Sequence, residues 1–307
     1  MLQMMLLTGL AIELSVYALL GIYGWRHGMH HWLVVLLILM FAVGLRIAAA
    51  LPSYLLSSAF RLRDRNRLPW GNSLYALASE VDARAFTLTI LEPFHQWLMP
   101  VDPLGPKAGM PILLVHGYLS NRGMFWRMQK RLAAAAAVGG LGPVYTVSLT
   151  PLFGSIDDMM PVLAQRIEAI CAETGVAKIN VVAHSMGGLV TRAYLVAHAD
   201  AGRIARLITI GSPHRGTRMA SFGLGRCVQE MRPDSAKLKA LVSAEADLPK
   251  PPTLSIYTLN DDLVYPAESS CLDWAENLPM SGVGHVGLLS SKSVMQRVIA
   301  ELQVRSA

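Results

Sequence analysis

Asn180-Val181-Val182-Ala183-His184-Ser185-Met186-Gly187-Gly188-Leu189-Val190 is the stretch whose reading decides the fold. A short apolar run, a tight turn with Ser185 at its apex and a new apolar stretch read as strand, turn and helix. Such a turn needs small residues on both sides of the serine, and Ala183 and Gly187 supply them. The hydroxyl then stands above the carboxyl end of a strand, with the amino end of the next helix aimed at it. A helix N-cap serine is the plainer reading of the same residue. A serine alone is a poor nucleophile near neutral pH, so catalysis would require a positioned base elsewhere in the chain.

The same alternation continues outward. Apolar runs predict strands at Ile112–Val115, Val144–Leu149, Ile179–Ala183, Leu207–Ile210 and Leu254–Leu259. Helical stretches fall around Met124–Val138, Asp157–Thr174 and Met186–His198. Continuous apolar strands separated by helices imply an α/β fold, a mostly parallel sheet covered by helices on both faces. Right-handed crossovers would set successive strands side by side, their carboxyl ends forming one functional edge. Residues 107–307 are assigned to this domain, about 200 residues and enough for a substantial core.

The amino-terminal quarter differs. The chain is 53% apolar and 16% charged over 307 residues, against about 45–50% and roughly 25% in ordinary soluble domains. That excludes a disordered chain. Leu2 to Trp25 carries one charge, Glu13, and His31 to Leu51 only Arg46. Each run approaches the ~20 residues a helix needs to cross a bilayer. Arg26 to His30 forms a polar break with Trp25 and Trp32 beside it, where interfacial aromatics belong. Residues 1–60 therefore read as a membrane anchor, a transmembrane helical hairpin. A signal peptide is the rival, but its basic n-region is missing. Glu13 is expected to pair with a polar group on the neighbouring helix or to serve as a functional intramembrane acid. Arg46 is expected to snorkel to the headgroups.

After the second span come Arg61, Arg63, Arg65 and Arg67, offset by Asp64, against Arg26 alone in the hairpin loop. This imbalance predicts that the segment after the hairpin lies in the cytoplasm. The cluster either rests on anionic headgroups or is solvated. Residues 61–106 read as a basic, helical linker. Its helix runs from Asn72 to about Leu91, with Leu74, Leu77, Ala78, Val81, Ala85, Leu88 and Leu91 as an apolar stripe for the core or a membrane surface. Three widely spread cysteines without a CxxC exclude a disulfide framework or a zinc finger. The net charge of +6 is not arranged as a basic stripe with aromatics, so no nucleic-acid partner is expected.

The segment A-H-S-M-G at 183–187 resembles the nucleophile elbow of α/β-hydrolases, especially bacterial lipases and esterases, with alanine at the usual first glycine of G-x-S-x-G. The resemblance implies an acid and then a histidine, in that order, on loops after later strands. Asp261 with Val264 fits the family's D-x-x-V pattern, with Asp262 as a rival one residue out of register. A plain Asn-Asp-Asp surface turn is the alternative. His285, in a glycine-rich stretch, is the only histidine after Asp261. His184 is read as a packed residue.

On this resemblance Ser185 is nucleophile, His285 base and Asp261 acid, and the oxyanion donors are the backbone N–H groups of Met186 and Tyr118. Tyr118 lies in His116-Gly117-Tyr118, which is similar to the lipase H-G-x motif, with His116 architectural. Ile210 to Thr217 resembles the T/S-P-H-x-G-T loop that shapes such sites, and residues 216–250 form either a cap or a surface excursion. The implied protein is a membrane-anchored serine hydrolase of the bacterial inner membrane, its catalytic domain facing the cytoplasm. It would cleave carboxylic esters of a hydrophobic or lipid substrate through an acyl-enzyme, with the bilayer as partner and no cofactor or metal. An acyltransferase or thioesterase with the same triad, or a non-catalytic membrane scaffold, are the alternatives.

Overall fold

A computed structural model describes residues 1–64, 68–103 and 108–304. Two long helices open the chain, α1 (Leu2–Arg26) and α2 (His31–Arg63). Both are long and apolar enough to cross a membrane, and their most apolar windows are 0% and 6% buried. The second helix runs past the expected end at Leu51, through Pro52, to Arg63. Its last turns bury Ala50, Ser57 and Arg61, so packing carries the helix beyond the apolar span. Arg46 does not snorkel as expected. Its guanidinium pairs with Glu13 of α1 and lies 3.2 Å from both Tyr17 Oη and Thr89 Oγ1. A carboxylate on the adjacent helix is a better partner for it than distant headgroups.

The expected linker helix is α3 (Trp70–Phe86), extended by a wider π turn over Thr87–Leu91 and followed by a short α4 (His95–Leu98). Its extent agrees with the sequence reading, and of the two surfaces offered for its apolar stripe, core or membrane, Leu91 turns to the core while Leu74 and Leu88 do not. The buried face is Ala76, Glu80, Ala83 and Thr87, whereas Leu74 and Leu88 of the apolar stripe are 53% and 40% exposed. Small residues let α3 lie close to the domain, and Glu80 is tolerated inside because it finds N–H donors there.

The domain proper contains β1 (Ile112–Val115), α5 (Trp126–Ala137), β2 (Val144–Val147), α6 (Ile156–Thr174), β3 (Ile179–His184), α7 (Met186–Ala197) and β4 (Ile204–Ile210). Then follow α8 (Arg226–Glu230), α9 (Ala236–Glu245), β5 (Thr253–Thr258), β6 (Glu276–Met280) and α10 (Lys292–Gln303). The strands form one parallel sheet in the order β2-β1-β3-β4-β5-β6. Side chains alternate across it. Leu113, Val115, Val181 and Ala183 meet α6 and α7 on one face, and Ile112, Leu114, Val182 and Ile208 meet α5 and α10 on the other. The expectation of a sheet covered on both faces therefore holds.

Successive strands are neighbours, as expected, except between β2 and β3, where the chain crosses over β1. That reversal leaves a crevice between the carboxyl ends of β1 and β3, the usual ligand position in open α/β sheets. The sequence reading gave no strand at β6, whose Glu276, Asn277 and Pro279 form a partly exposed edge, the one place where a strand proline is tolerated.

Candidate active site

Ser185 joins β3 to α7 with φ 54° and ψ −129°, a backbone conformation that a side-chain-bearing residue adopts only under constraint. Its N–H donates to the Ile210 carbonyl at 2.9 Å. Every neighbour from Ile179 to Tyr194 is buried, while Ser185 is half-buried. Two glycines make the turn possible. A Cβ on Gly187 would lie 2.6 Å from the Val115 and His116 carbonyl oxygens. A Cβ on Gly117 would lie 2.7 Å from Ser185 Cβ and 3.2 Å from its Oγ. The loop after β1 is thus pressed against the serine, with Tyr118 next in the chain on one side and Met186 opening α7 on the other.

His116 holds that loop. Its Nε2 accepts the Leu149 N–H at 2.8 Å, and its Nδ1 lies 2.8 Å from the Gly117 carbonyl. Burial depresses its imidazole to about 4, so it stays neutral, with Nδ1–H as donor. The Tyr118 hydroxyl reaches outward, donating to the Leu224 carbonyl at 2.7 Å and accepting the Leu224 N–H at 3.1 Å. The 216–250 region is therefore tied to the loop after β1.

His285 Nδ1 lies 2.8 Å from Asp261 Oδ2, and both side chains are almost fully buried. A carboxylate only accepts, which puts the proton on Nδ1 and leaves Nε2 with its lone pair. Asp261 Oδ1 accepts the N–H groups of Leu263 (2.9 Å) and Val264 (2.7 Å), so the D-x-x-V spacing is the signature of an Asx turn. Burial pushes the His285 imidazole down, but Asp261, with Glu80 and Asp262 behind it, outweighs this and holds it above the ordinary histidine value. A Cβ on Gly211, at φ 59°, would come within 3.2 Å of His285 Cε1 and Nδ1. Gly211 directly follows Ile210, the partner of the Ser185 N–H, so imidazole and serine both lie at the carboxyl end of β4. His184 packs beside them, its ring centroid 4.7 Å from that of His285 and its Nε2 3.3 Å from the His285 carbonyl. Burial, then the neighbouring His285, draw His184 well below its usual value.

Asp262 turns the other way. Its Oδ2 accepts from Ser53 Oγ and Arg84 Nη2, each at 2.5 Å. Of the two adjacent carboxylates, Asp261 is the one that faces the imidazole. Thr217 Oγ1 donates to the Leu263 carbonyl (2.8 Å) and accepts the Tyr265 N–H (3.0 Å), which ties the expected shaping loop to the acid turn.

Several groups at the site escaped the sequence reading, and all come from the amino-terminal region. Glu80 accepts the Val286 N–H at 2.9 Å and the Gly287 N–H at 3.0 Å, and pairs with Arg84 at 2.7 Å. Burial and the nearby Asp262 push its carboxyl up, against the pull of Arg84, the Gly287 N–H and His285. Arg61, read as a solvated or headgroup-facing charge, is instead buried and bonded to the Asp261 carbonyl. Arg65 and Arg67 of that cluster lie outside the described residues. Glu92 accepts from Ser120 Oγ, and its own carbonyl accepts from Asn121 Nδ2 at 3.1 Å. Burial raises Glu92 to about 7. The signal for Glu80 was its position among Ala76 and Ala83, the small-residue face of an otherwise greasy helix.

Cavities of about 420 and 430 Å³ open at the opposite, amino edge of the sheet, lined by Leu141, Gly142, Val144 and Asn180, and touch none of these groups.

A sequence model described as the alpha/beta hydrolase fold matches residues 110–239, which includes Ser185 but ends before Asp261 and His285. A triacylglycerol lipase of Burkholderia plantarii is 30% identical over 156 residues, 41% of this chain and 41% of that protein. A triacylglycerol lipase of Pseudarthrobacter phenanthrenivorans is 43% identical over 56 residues, 18% of this chain and 17% of that protein. The chain thus spans less than half the length of the curated relatives it matches. Among solved structures, a Bacillus licheniformis lipase superposes with a TM-score of 0.54 at 19% identity, covering 67% of this chain and 96% of that one. Lipase B of Aspergillus fumigatus gives 0.55 at 17% identity, covering 64% and 53%.

Proposed function

From its α/β-hydrolase fold we infer that this chain is a serine hydrolase that cleaves carboxylic esters of a hydrophobic or lipid substrate through an acyl-enzyme. The observation that carries the reading is the 2.8 Å contact between His285 Nδ1 and Asp261 Oδ2 beside the strained Ser185 turn. His285 Nε2 takes the hydroxyl proton as Ser185 Oγ attacks the acyl carbon, and Asp261 stabilises the imidazolium. The carbonyl oxygen gathers negative charge, for which the backbone N–H groups of Met186 and Tyr118 serve as donors. The proton passes to the departing alcohol. Water, deprotonated by the same imidazole, then releases the acid and restores Ser185. The triacylglycerol lipase relatives support a lipid ester as the substrate class.

The decisive experiment is labelling with a fluorophosphonate probe. The parent protein is expected to react, and Ser185→Ala to remain folded, lose all labelling and lose about 10⁶-fold in kcat for ester hydrolysis. Labelling that survives the substitution would defeat the assignment.

The same reading makes α1 and α2 a membrane anchor. Their exposed apolar windows favour it, as does the outward apolar face of α3, where Trp70 and Tyr75 are 78% and 71% exposed. The arginines after α2 count during insertion, before Arg61 finds its place in the fold, and favour a cytoplasmic catalytic domain. Protease added to intact cells should spare that domain, and its rapid digestion would reverse the orientation.

A further inference from the structure

The loop that carries His285 has no regular structure of its own to hold it. Residues 281–286 form a bend and turn between β6 and the single 3₁₀ turn Gly287–Leu289. Its backbone N–H groups at Gly284, Val286 and Gly287 are satisfied from outside the hydrolase domain. Ser79 Oγ takes the first at 3.2 Å, and the Glu80 carboxylate takes the other two. The fit is close, because a Cβ on Gly284 would overlap the Glu80 carboxylate. Among the described residues the hydrogen-bond partners of Glu80 are donors, two backbone N–H groups on one side and the Arg84 guanidinium on the other, with the Asp262 carboxylate beyond Arg84. Arg84 then bridges to Asp262, the residue that follows the acid. One carboxylate on α3 therefore fixes the loop of the base directly and reaches the loop of the acid through one arginine.

We propose that Glu80 is a positioning residue for catalysis: the helix after the membrane hairpin holds the His285 imidazole in register with Asp261 and Ser185. The inference rests on the reading of His285 as the base. It adds that the catalytic unit starts at α3, well before the first strand of the sheet. Glu80 touches neither substrate nor reacting atoms. It acts by fixing two peptide N–H groups and by setting a negative charge behind the imidazole.

The test uses the full chain in detergent or vesicles. Glu80→Gln replaces an acceptor with an amide that meets the loop N–H groups poorly and removes the charge. It is expected to lower kcat about 10–100-fold, the scale of a small misplacement of catalytic groups, with KM changed less than about twofold. The acid limb of the kcat/KM profile should move to lower pH, because the imidazolium loses a stabilising anion. Glu80→Asp keeps the charge on a shorter stem, so it should lose part of kcat and keep the acid limb where it was. A folded Glu80→Gln protein with parental kcat and acid limb overturns the proposal. So does Glu80→Asp with parental kcat, even where the Gln variant fails to fold. Fluorophosphonate labelling separates the two levels: an unlabelled parent protein sinks the hydrolase reading, whereas Glu80→Gln labelled at the parental rate sinks only the role of Glu80.

Discussion

The turn at Ser185 draws mainly on near neighbours in sequence, with Gly117 and Ile210 packed against it, whereas the loop at His285 is bonded to a carboxylate 206 residues before Val286. On the first side, the conformation follows from Ala183, Gly187 and a backbone strain confined to one residue. On the second, a glycine-rich loop is held at Gly282 and Val283 by Asn260 and Thr258, and α3 supplies the acceptors for its N–H groups at Gly284, Val286 and Gly287. A nucleophile must project from a fixed point, and a strand-to-helix turn packed on its neighbouring strands supplies one. A general base must reach across from another strand, and that span needs a brace.

The sharpest way to break this contrast is to compare the two adjacent carboxylates. Asp261→Asn should leave His285 with the wrong tautomer and cost about 10⁴-fold in kcat with little loss of stability. Asp262→Asn should cost less than about tenfold in kcat, but on the order of 3 kcal/mol in stability, because Arg84, largely buried, loses one of its two charged partners. Steady-state kinetics and denaturant unfolding of both proteins decide the matter. The reverse ranking would move the acid by one residue and erase the division between local and distant parts.

The division matches what a sequence reader sees. Residues 180–190 carry strand, turn and helix in one window, and Asp261 and His285 follow in a fixed chain order. Glu80, Arg84 and Arg61 carry no such mark. Each looks like a solvated helix charge, and its burial depends on a partner roughly two hundred positions away. The apolar stripe of α3 was legible as a pattern, but which face turned inward was not, since lipid and core attract the same side chains. Edge strand β6 was hidden by its polar residues and Pro279. By contrast, α10 repeats Val294, Met295, Val298 and Leu302 at helical spacing and was open to prediction.

A middle-sized test lies on the serine side. Gly117→Ala puts a methyl group 2.7 Å from Ser185 Cβ, so the loop after β1 must retreat from the serine. A fall of about 10²-fold in kcat is expected, comparable with the loss of one oxyanion donor. Ester turnover at parental levels in this variant would show that the loop does not contribute to the reaction centre.

The smallest catalytic effect belongs to the distant side. Glu92, raised by burial to about 7, stays neutral in the fold at a pH where the unfolded chain has ionised. Its contribution to stability is therefore intact below about pH 4.5 and is lost as pH rises through about 7, a total of about 3 kcal/mol. Glu92→Gln should flatten that decline between pH 5 and pH 8 while changing kcat less than about threefold. Unfolding free energies with the same pH slope in both proteins would remove Glu92 from the account.

The route of Arg61 from α2 to the Asp261 carbonyl, with Ser53 and Arg84 on Asp262, bears on any attempt to obtain this protein without its apolar hairpin. Trimming the chain to the segment that begins at β1 would keep every strand of the sheet and the residues of the Ser185 turn. It would also strip the Asp261 and His285 loops of the guanidinium, hydroxyl and carboxylate groups that bond to them. A deletion meant to remove only greasy helices would thus open the proposed reaction centre to bulk water from behind, so solubility is better sought by masking the hairpin than by cutting it away.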